Sequence, residues 1–305
     1  MRFCTFQSGS RVGAGIVKGK DVVDLGIAFF KYFKRPWKFA DLGDFLAQGA
    51  LARLAELRWD RIPDDPKMRI SVDFVTWLAP IVRPPKVIAV GRNYPEHAKE
   101  QKAEVPTSPM LFAKAANSVI GPGSAIEIPS ASQQVDHEVE LGVVIKDACD
   151  RVSKAEALDH VLGFTVVNDV SARDVQYGDK QWFRGKSFRT FCPVGPVVVT
   201  PDEIDFRNLP LRLRVNGETR QEGNTSEMIF DVPTLIEFAS AAFALEPGDV
   251  IATGTPAGVG MSRTPPLFLK AGDVVEAEIE GIGILRNPVV ECARPMVECA
   301  RLNVQ

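Results

Sequence analysis

From Lys86 onward the chain is a succession of short apolar runs, among them KVIAVG, MLFAKA, VELGVVIK, GFTVVN, CPVGPVVV, LRLRV, GDVIATG and DVVEAEIEGIGILR. Runs of this length, rich in Val and Ile and separated by turn-forming residues, read as β-strands. Asn216 and Gly217, between LRLRV and ETRQEG, both tolerate positive φ and mark a hairpin. Helical patterns are few: Ser153 and Glu156 form a capping box opening a helix toward Val161, and Pro233 in DVPTLIEFASAAF suits a first helical turn. Strands that outnumber helices and do not alternate with them argue against a doubly wound sheet and for a strand-rich α+β fold built on a mixed sheet or roll.

The first 26 residues break into two or three short strands (RFCTFQ, VGAGIV, KDVVDLG), and residues 41–57 space their apolar positions as one amphipathic helix. Together they predict a small N-terminal α+β cap over residues 1–80. The boundary falls at Ile81–Pro85, where paired prolines force extended backbone. Residues 81–290 then form the larger domain. A tail follows over 291–305, carrying a short duplication, VECAR at 290–294 and 297–301, which is too brief for a solenoid.

With 305 residues, 45% hydrophobic and 25% charged, the chain is an ordinary globular protein, neither disordered nor disulfide-dense. A net charge of −3 offers no basic footprint, so nucleic acid is not an expected partner. No apolar run approaches the roughly 18 residues of a membrane span. The opening MRFCTFQSGSR lacks the apolar stretch of a secretory signal, and the expected location is cytoplasmic. Five scattered cysteines without a CxxC pair read as reduced packing thiols.

The chemistry gathers at VDHEVELGVV. Strand alternation puts Asp136, Glu138 and Glu140 on one face and turns His137 to the other. Alternate residues on a strand are roughly 6.6 Å apart, so the carboxylates of Glu138 and Glu140 can meet at one cation. A solvated acidic strand face shows the same alternation. A third acid, Asp169, ends the run GFTVVN at a strand-to-helix corner where Ser171 and Asp174 look like a capping box. Oxygen donors without nearby Cys fit a hard ion, Mg²⁺ or Mn²⁺, and fit zinc poorly. Such an ion keeps water-filled positions that a bidentate ligand can take.

In GRNYPEHAKE, Asn93 can cap a short helix that Pro95 enters, which sets His97 and Glu100 three residues apart on one side. A carboxylate beside an imidazole holds its tautomer and raises its basicity, as a general base requires, although an exposed His and Glu pair also occurs as plain surface decoration. The run TGTPAGVG, Thr253 to Gly260, offers amides and hydroxyls to a carboxylate or oxyanion, or is simply a turn cluster. His160, inside AEALDHVLGF, reads as structural.

Taken as a set, VGRNYPEHAKE, VDHEVELGVV, VVNDVSARDVQ, QWFRGKSF, NGETRQEGNTSEMIFDV and LEPGDVIATGTPAGVG resemble the fumarylacetoacetate hydrolase superfamily over about residues 84–290. The resemblance implies a mixed β-sandwich roll, a homodimer, and Mg²⁺ or Mn²⁺ on Glu138, Glu140 and Asp169. It implies catalytic roles for His97 and Glu100, as the dyad of a lid helix, and for Lys186 beside the substrate. Arg92, Tyr94, Arg173, Asp174, Gln176, Gly254 and Thr255 match positions around the family's substrate pocket. The short N-terminal part looks like the cap of bacterial members. The activity this implies is metal-dependent hydrolysis of a C–C bond in a small-molecule 1,3-dicarbonyl or 2-oxo acid of the acylpyruvate or fumarylpyruvate type, through an ion-stabilised enolate. The same site would serve oxaloacetate decarboxylation, or isomerisation of 2-hydroxyhepta-2,4-diene-1,7-dioate or 5-carboxymethyl-2-hydroxymuconate. A non-catalytic protein with a structural cation leaves the His97 pair and Lys186 without a purpose.

Overall fold

A computed structural model of the chain describes residues 1–57 and 67–293. The second VECAR copy and most of the 291–305 tail lie outside the described residues, as does Cys299. The protein is strand-rich α+β with mixed sheets. One sheet runs in the order Arg69–Ser71, Asp21–Asp24, Arg11–Lys18, Arg2–Ser8, Cys192–Val199, Val161–Asn168, Val139–Ile145, Val250–Ala252, Val87–Gly91, Met110–Lys114. Val250–Ala252 and Val87–Gly91 pair in parallel, whereas the other pairs along this order are antiparallel. A second sheet holds Glu218–Asn224, Pro210–Val215, Val274–Ile279, Gly283–Glu291 and Ile126–Ile128.

The central strands are apolar at consecutive positions because both faces are covered. In Val161–Asn168, Phe164 and Val166 pack toward the second sheet, while Leu162 and Val167 join Phe3, Leu25, Phe29 and Phe45 on the other side. Phe3 pairs with Val198, so the N-terminal strands continue the large sheet by backbone hydrogen bonds. Cys4, Cys149 and Cys192 are buried free thiols, and Cys292 is part-exposed. Among the described residues no helix is long and apolar enough to cross a membrane.

Several local expectations hold. Asn216 and Gly217 take φ of 53° and 81° in the hairpin between Pro210–Val215 and Glu218–Asn224. The helix Val232–Ala242 starts with Pro233 in its first turn, and Asp231 caps it by accepting from Thr234 N at 3.0 Å. Two helical expectations need correction. The single helix over 41–57 is two, Leu42–Ala47 and Ala50–Glu56, because Gly49 turns left-handed at φ 65° between them. Ser153 does bond Glu156, but only a 3₁₀ turn, Ala157–His160, fits before the strand Val161–Asn168 begins.

Asn93 ties the segment ahead of Pro95 to the backbone at Phe230 and Thr253. Its side chain donates to Phe230 O at 3.0 Å and Thr253 O at 2.8 Å, and accepts from Phe230 N at 2.8 Å. Asn93→Ala strands at least one buried carbonyl, at roughly 1 to 3 kcal/mol for each unsatisfied group. Urea unfolding should therefore show a loss of about 2 kcal/mol or more; a loss under ~0.5 kcal/mol would contradict this role.

Candidate metal centre and catalytic dyad

The strand expected through 136–140 is interrupted. Val135–Asp136 pairs with Ser171–Ala172, and a new strand begins at Val139. Asp136 therefore leaves the acidic face. Its carboxylate instead accepts from Gly260 N at 2.7 Å, Met261 N at 3.0 Å and Arg173 Nε at 2.9 Å. Burial raises its pKa, but the charge of Arg173 and the contact with His137 outweigh burial and hold the carboxyl well below its usual range.

Glu138 and Glu140 stay together, and Asp169 reaches them through the antiparallel ladder that sets Val139 opposite Asn168. Asp169 N donates to Glu138 O at 2.8 Å, and Asn168 Oδ1 accepts from Glu138 N at 3.0 Å. One carboxylate oxygen from each of the three acids lies within 4.8 Å of the others, and all three residues are buried. The capping box read at Ser171 and Asp174 does not form, because Ser171 is held in the strand pair. Its hydroxyl donates to Asp169 O, and the helix Arg173–Gly178 starts without a side-chain cap. Asp174 faces away, accepting from Ser132 Oγ at 2.6 Å and Gln133 N at 2.9 Å.

Three cations answer these charges. Lys186 Nζ sits 2.6 Å from both Glu138 Oε2 and Asp169 Oδ2. Arg173 Nη2 lies 2.7 Å from Glu138 Oε1. Lys114, fully buried at the end of Met110–Lys114, pairs with Asp169 and donates to Lys186 O. Burial alone would drive the Lys186 pKa down; Asp169 and Glu138 reverse that. Lys114 was legible only as part of a strand pattern, and its sole signal is a lysine closing an apolar run.

Glu140 is the exception. It accepts from Gly254 N at 2.8 Å and, among the described residues, has no cation at ion-pair distance. Burial, then the charges of Asp169 and Glu138, push its pKa well above the usual carboxylate value. An all-oxygen, buried donor set with one uncompensated carboxylate fits a hard divalent cation.

The helix Pro95–Glu100 has Tyr94, not Asn93, at its N-cap position and starts without a side-chain cap bond, because the Asn93 side chain is spent on Phe230 and Thr253. His97 Nδ1 lies 2.7 Å from Glu100 Oε1, and Glu100 Oε2 accepts from Gly258 N at 2.9 Å. At 3% exposure His97 is no surface decoration. It shares one cavity with Arg92, Glu138, Glu140, Arg173, Gln176, Lys186 and Thr255, together with Gln101 and Trp182, which the sequence reading passed over. Tyr94, Gly254 and Asp174 do not line that space. Thr255 Oγ1 is already committed, donating to Val139 O and accepting from Gln221. Among the described residues the buried Tyr94 hydroxyl has no hydrogen-bond partner, and burial followed by the charge of Glu140 pushes its pKa up.

Residues 86–290 match the model of the fumarylacetoacetate (FAA) hydrolase C-terminal domain. The chain is 43% identical over 297 residues to the mitochondrial oxaloacetate tautomerase fahd2 of Xenopus laevis, covering 95% of this chain and 90% of that protein. A solved fumarylacetoacetate hydrolase from psychrophilic Exiguobacterium antarcticum aligns with TM-score 0.81 at 38% identity, covering 96% of this chain and 100% of that one. A 2-hydroxyhepta-2,4-diene-1,7-dioate isomerase from Mycobacterium marinum aligns at 0.75 and 35%, with the same coverage.

Because Glu140's folded pKa is raised, its proton stabilises the metal-free fold below the ordinary value of 4.5, and that contribution is lost as pH climbs through the folded value. In chelator, Glu140→Gln should therefore gain on the wild type in thermal stability as pH rises above 4.5. Added Mn²⁺ should stabilise the wild type and leave the variant unmoved; an equal Mn²⁺ shift in both would refute a role for Glu140 in cation binding.

Proposed function

The chain belongs to the fumarylacetoacetate hydrolase family, and from that premise we propose that it interconverts the keto and enol forms of oxaloacetate or a similarly short 2-oxo dicarboxylate. The observation that carries this reading is the placement of one imidazole, His97, and one ammonium, Lys186, on the same small cavity. These are the two groups that moving a proton between carbon and oxygen requires. The space they share is about 10 Å³, room for one water at most, so substrate enters only when the helix Pro95–Glu100 moves aside. The similarity to a relative named as an oxaloacetate tautomerase supports the substrate class.

His97 Nε2 takes a proton from the carbon beside the ketone. The C–H electron pair becomes the C=C bond, and the carbonyl π pair moves onto oxygen. The same proton, now on Nε2, is then given to that oxygen, so the imidazole ends as it began and no water is consumed. Glu100 keeps Nδ1–H oriented and stabilises the transient imidazolium. The Lys186 ammonium stands where the enolate oxygen's charge develops, and Arg92 and Arg173 offer donors to the substrate carboxylates. Glu138, Glu140 and Asp169 would hold Mg²⁺ or Mn²⁺, which when bound supplies Lewis-acid stabilisation of charge on a chelating 2-oxo acid.

C–C bond hydrolysis of an acylpyruvate-type acid is the second reading, favoured by the likeness to the Exiguobacterium hydrolase. There His97 would activate a water against the distal carbonyl. One experiment separates the two. Loss of enol-oxaloacetate absorbance is followed with Mg²⁺ or Mn²⁺, beside an acylpyruvate incubated in ¹⁸O-water. The proposal expects tautomerisation above buffer, reduced by roughly 10²- to 10⁴-fold in His97→Asn. No acceleration with oxaloacetate, together with ¹⁸O in a carboxylate product, would replace it with hydrolysis.

A further inference from the structure

The nitrogen that would take the substrate's proton is covered. His97 Nε2 lies 3.0 Å from Gln101 Nε2, and Gln101 Oε1 lies 3.1 Å from Arg92 Nε. The polarity of this row can be read from its ends. Arg92 Nε–H is a donor with no lone pair to offer, so the Gln101 atom it meets is the carbonyl oxygen, and the amide NH₂ faces the imidazole. An amide NH₂ only donates, so His97 Nε2 presents its lone pair, and the ring hydrogen sits on Nδ1 against Glu100 Oε1 at 2.7 Å. Glu100 Oε2 ends the row by accepting from Gly258 N.

The anchor of this row is itself fixed. Arg92 has φ 56°, a left-handed conformation uncommon outside glycine and one that clusters at functional sites. Its guanidinium lies 5.8 Å from the centre of the Trp182 ring. Trp182 packs so closely on Gly91 that a Cβ there would meet the ring at 2.4 Å.

We propose that Gln101 is a latch on the general base: its amide, anchored by Arg92, holds His97 in the Nδ1–H tautomer and covers Nε2 until a substrate carboxylate claims Arg92. This rests on reading His97 as the proton acceptor. The amide hydrogen occupies the place of the substrate's transferable proton, so substrate must displace it. In the closed arrangement the cavity of about 10 Å³ has no room for both. A substrate carboxylate meets the Arg92 guanidinium as an ion pair, whereas the Gln101 carbonyl offers it only an uncharged acceptor, so the exchange runs toward release. Short 2-oxo acids with a carboxylate in reach of Arg92 therefore uncover their own base, whereas neutral ketones leave it latched. Gln101 is a positioning and selectivity residue; it touches the base and not the reacting atoms of the substrate.

The test uses the full chain without substrate. Diethyl pyrocarbonate acylates an imidazole through a nitrogen lone pair, and peptide mass spectrometry separates the three histidines of the chain. In Gln101→Met, acylation at His97 should rise roughly two- to tenfold, the range of one exchanged neutral hydrogen bond, with His160 unchanged. Arg92→Leu should do the same, and the double variant no more than either alone, because both act through one row. Unchanged or slower acylation at His97, or additive effects, would overturn the latch. Should the variants not fold, ¹⁵N resonances of the wild-type imidazole decide: an unprotonated Nε2 agrees, and a protonated Nε2 overturns it. None of these readouts needs turnover, so a failed oxaloacetate assay and a failed latch are separate results.

Discussion

Three carboxylates, Glu138, Glu140 and Asp169, are forced together where water cannot screen them, and the surrounding structure answers that repulsion. Unpaired charges at such separations in a low-dielectric interior would displace one another's pKa values or unfold the site. Lys186, Lys114 and Arg173 supply three buried positive charges from three different segments. Arg173 is shared with a fourth buried acid, Asp136, so four carboxylates face three cations, and Glu140, whose pKa is raised, is the one left without an ion pair among the described residues. That residual imbalance, and not the mere number of acids, is the physical case for a cation here.

The fold serves this convergence. A strand break after Asp136 separates an anchoring carboxylate from two that face the cavity, so adjacent acids do different work. Asp136 pins Arg173 and the 260–261 backbone, and Arg173 then reaches Glu138. Asn93 fixes the root of the helix Pro95–Glu100 to Thr253 and Phe230, while Glu100 bonds Gly258. Loop 253–260 thus touches both halves: Gly254 N meets Glu140, and Gly258 N meets Glu100, the partner of His97. The carboxylate cluster and the His97–Glu100 pair are joined through one short stretch of backbone.

Much of this was legible where one residue type has one physical meaning. Asn216–Gly217, Pro233 and the two-residue spacing of Glu138 and Glu140 act locally, and the structure keeps them. The contact of His97 with Glu100 follows from helical spacing, but the burial that separates it from a surface pair does not. What could not be read depends on distant partners. Lys114 looks like any strand lysine until Asp169 is folded against it, 55 residues away. Asn93 has a cap-forming side chain, but the distant carbonyls of Phe230 and Thr253 take it, while Ser171 is held by the strand pairing of its backbone with Asp136 and bonds the nearby Asp169 carbonyl. Gln101 gains its meaning only when Arg92 and His97 lie on either side of it. The helix read over 41–57 failed for a local reason, since its Gly49 takes the left-handed conformation instead of continuing the turn.

The central claim is that Glu138, Glu140 and Asp169 gather around a doubly charged ion. Anomalous diffraction from a crystal soaked in Mn²⁺ tests it directly. The account predicts one strong peak within coordination distance of an oxygen from each of the three side chains, with Lys186 displaced from its present contacts. A crystal whose triad stays closed on Lys186, with no manganese peak between the carboxylates, would contradict it.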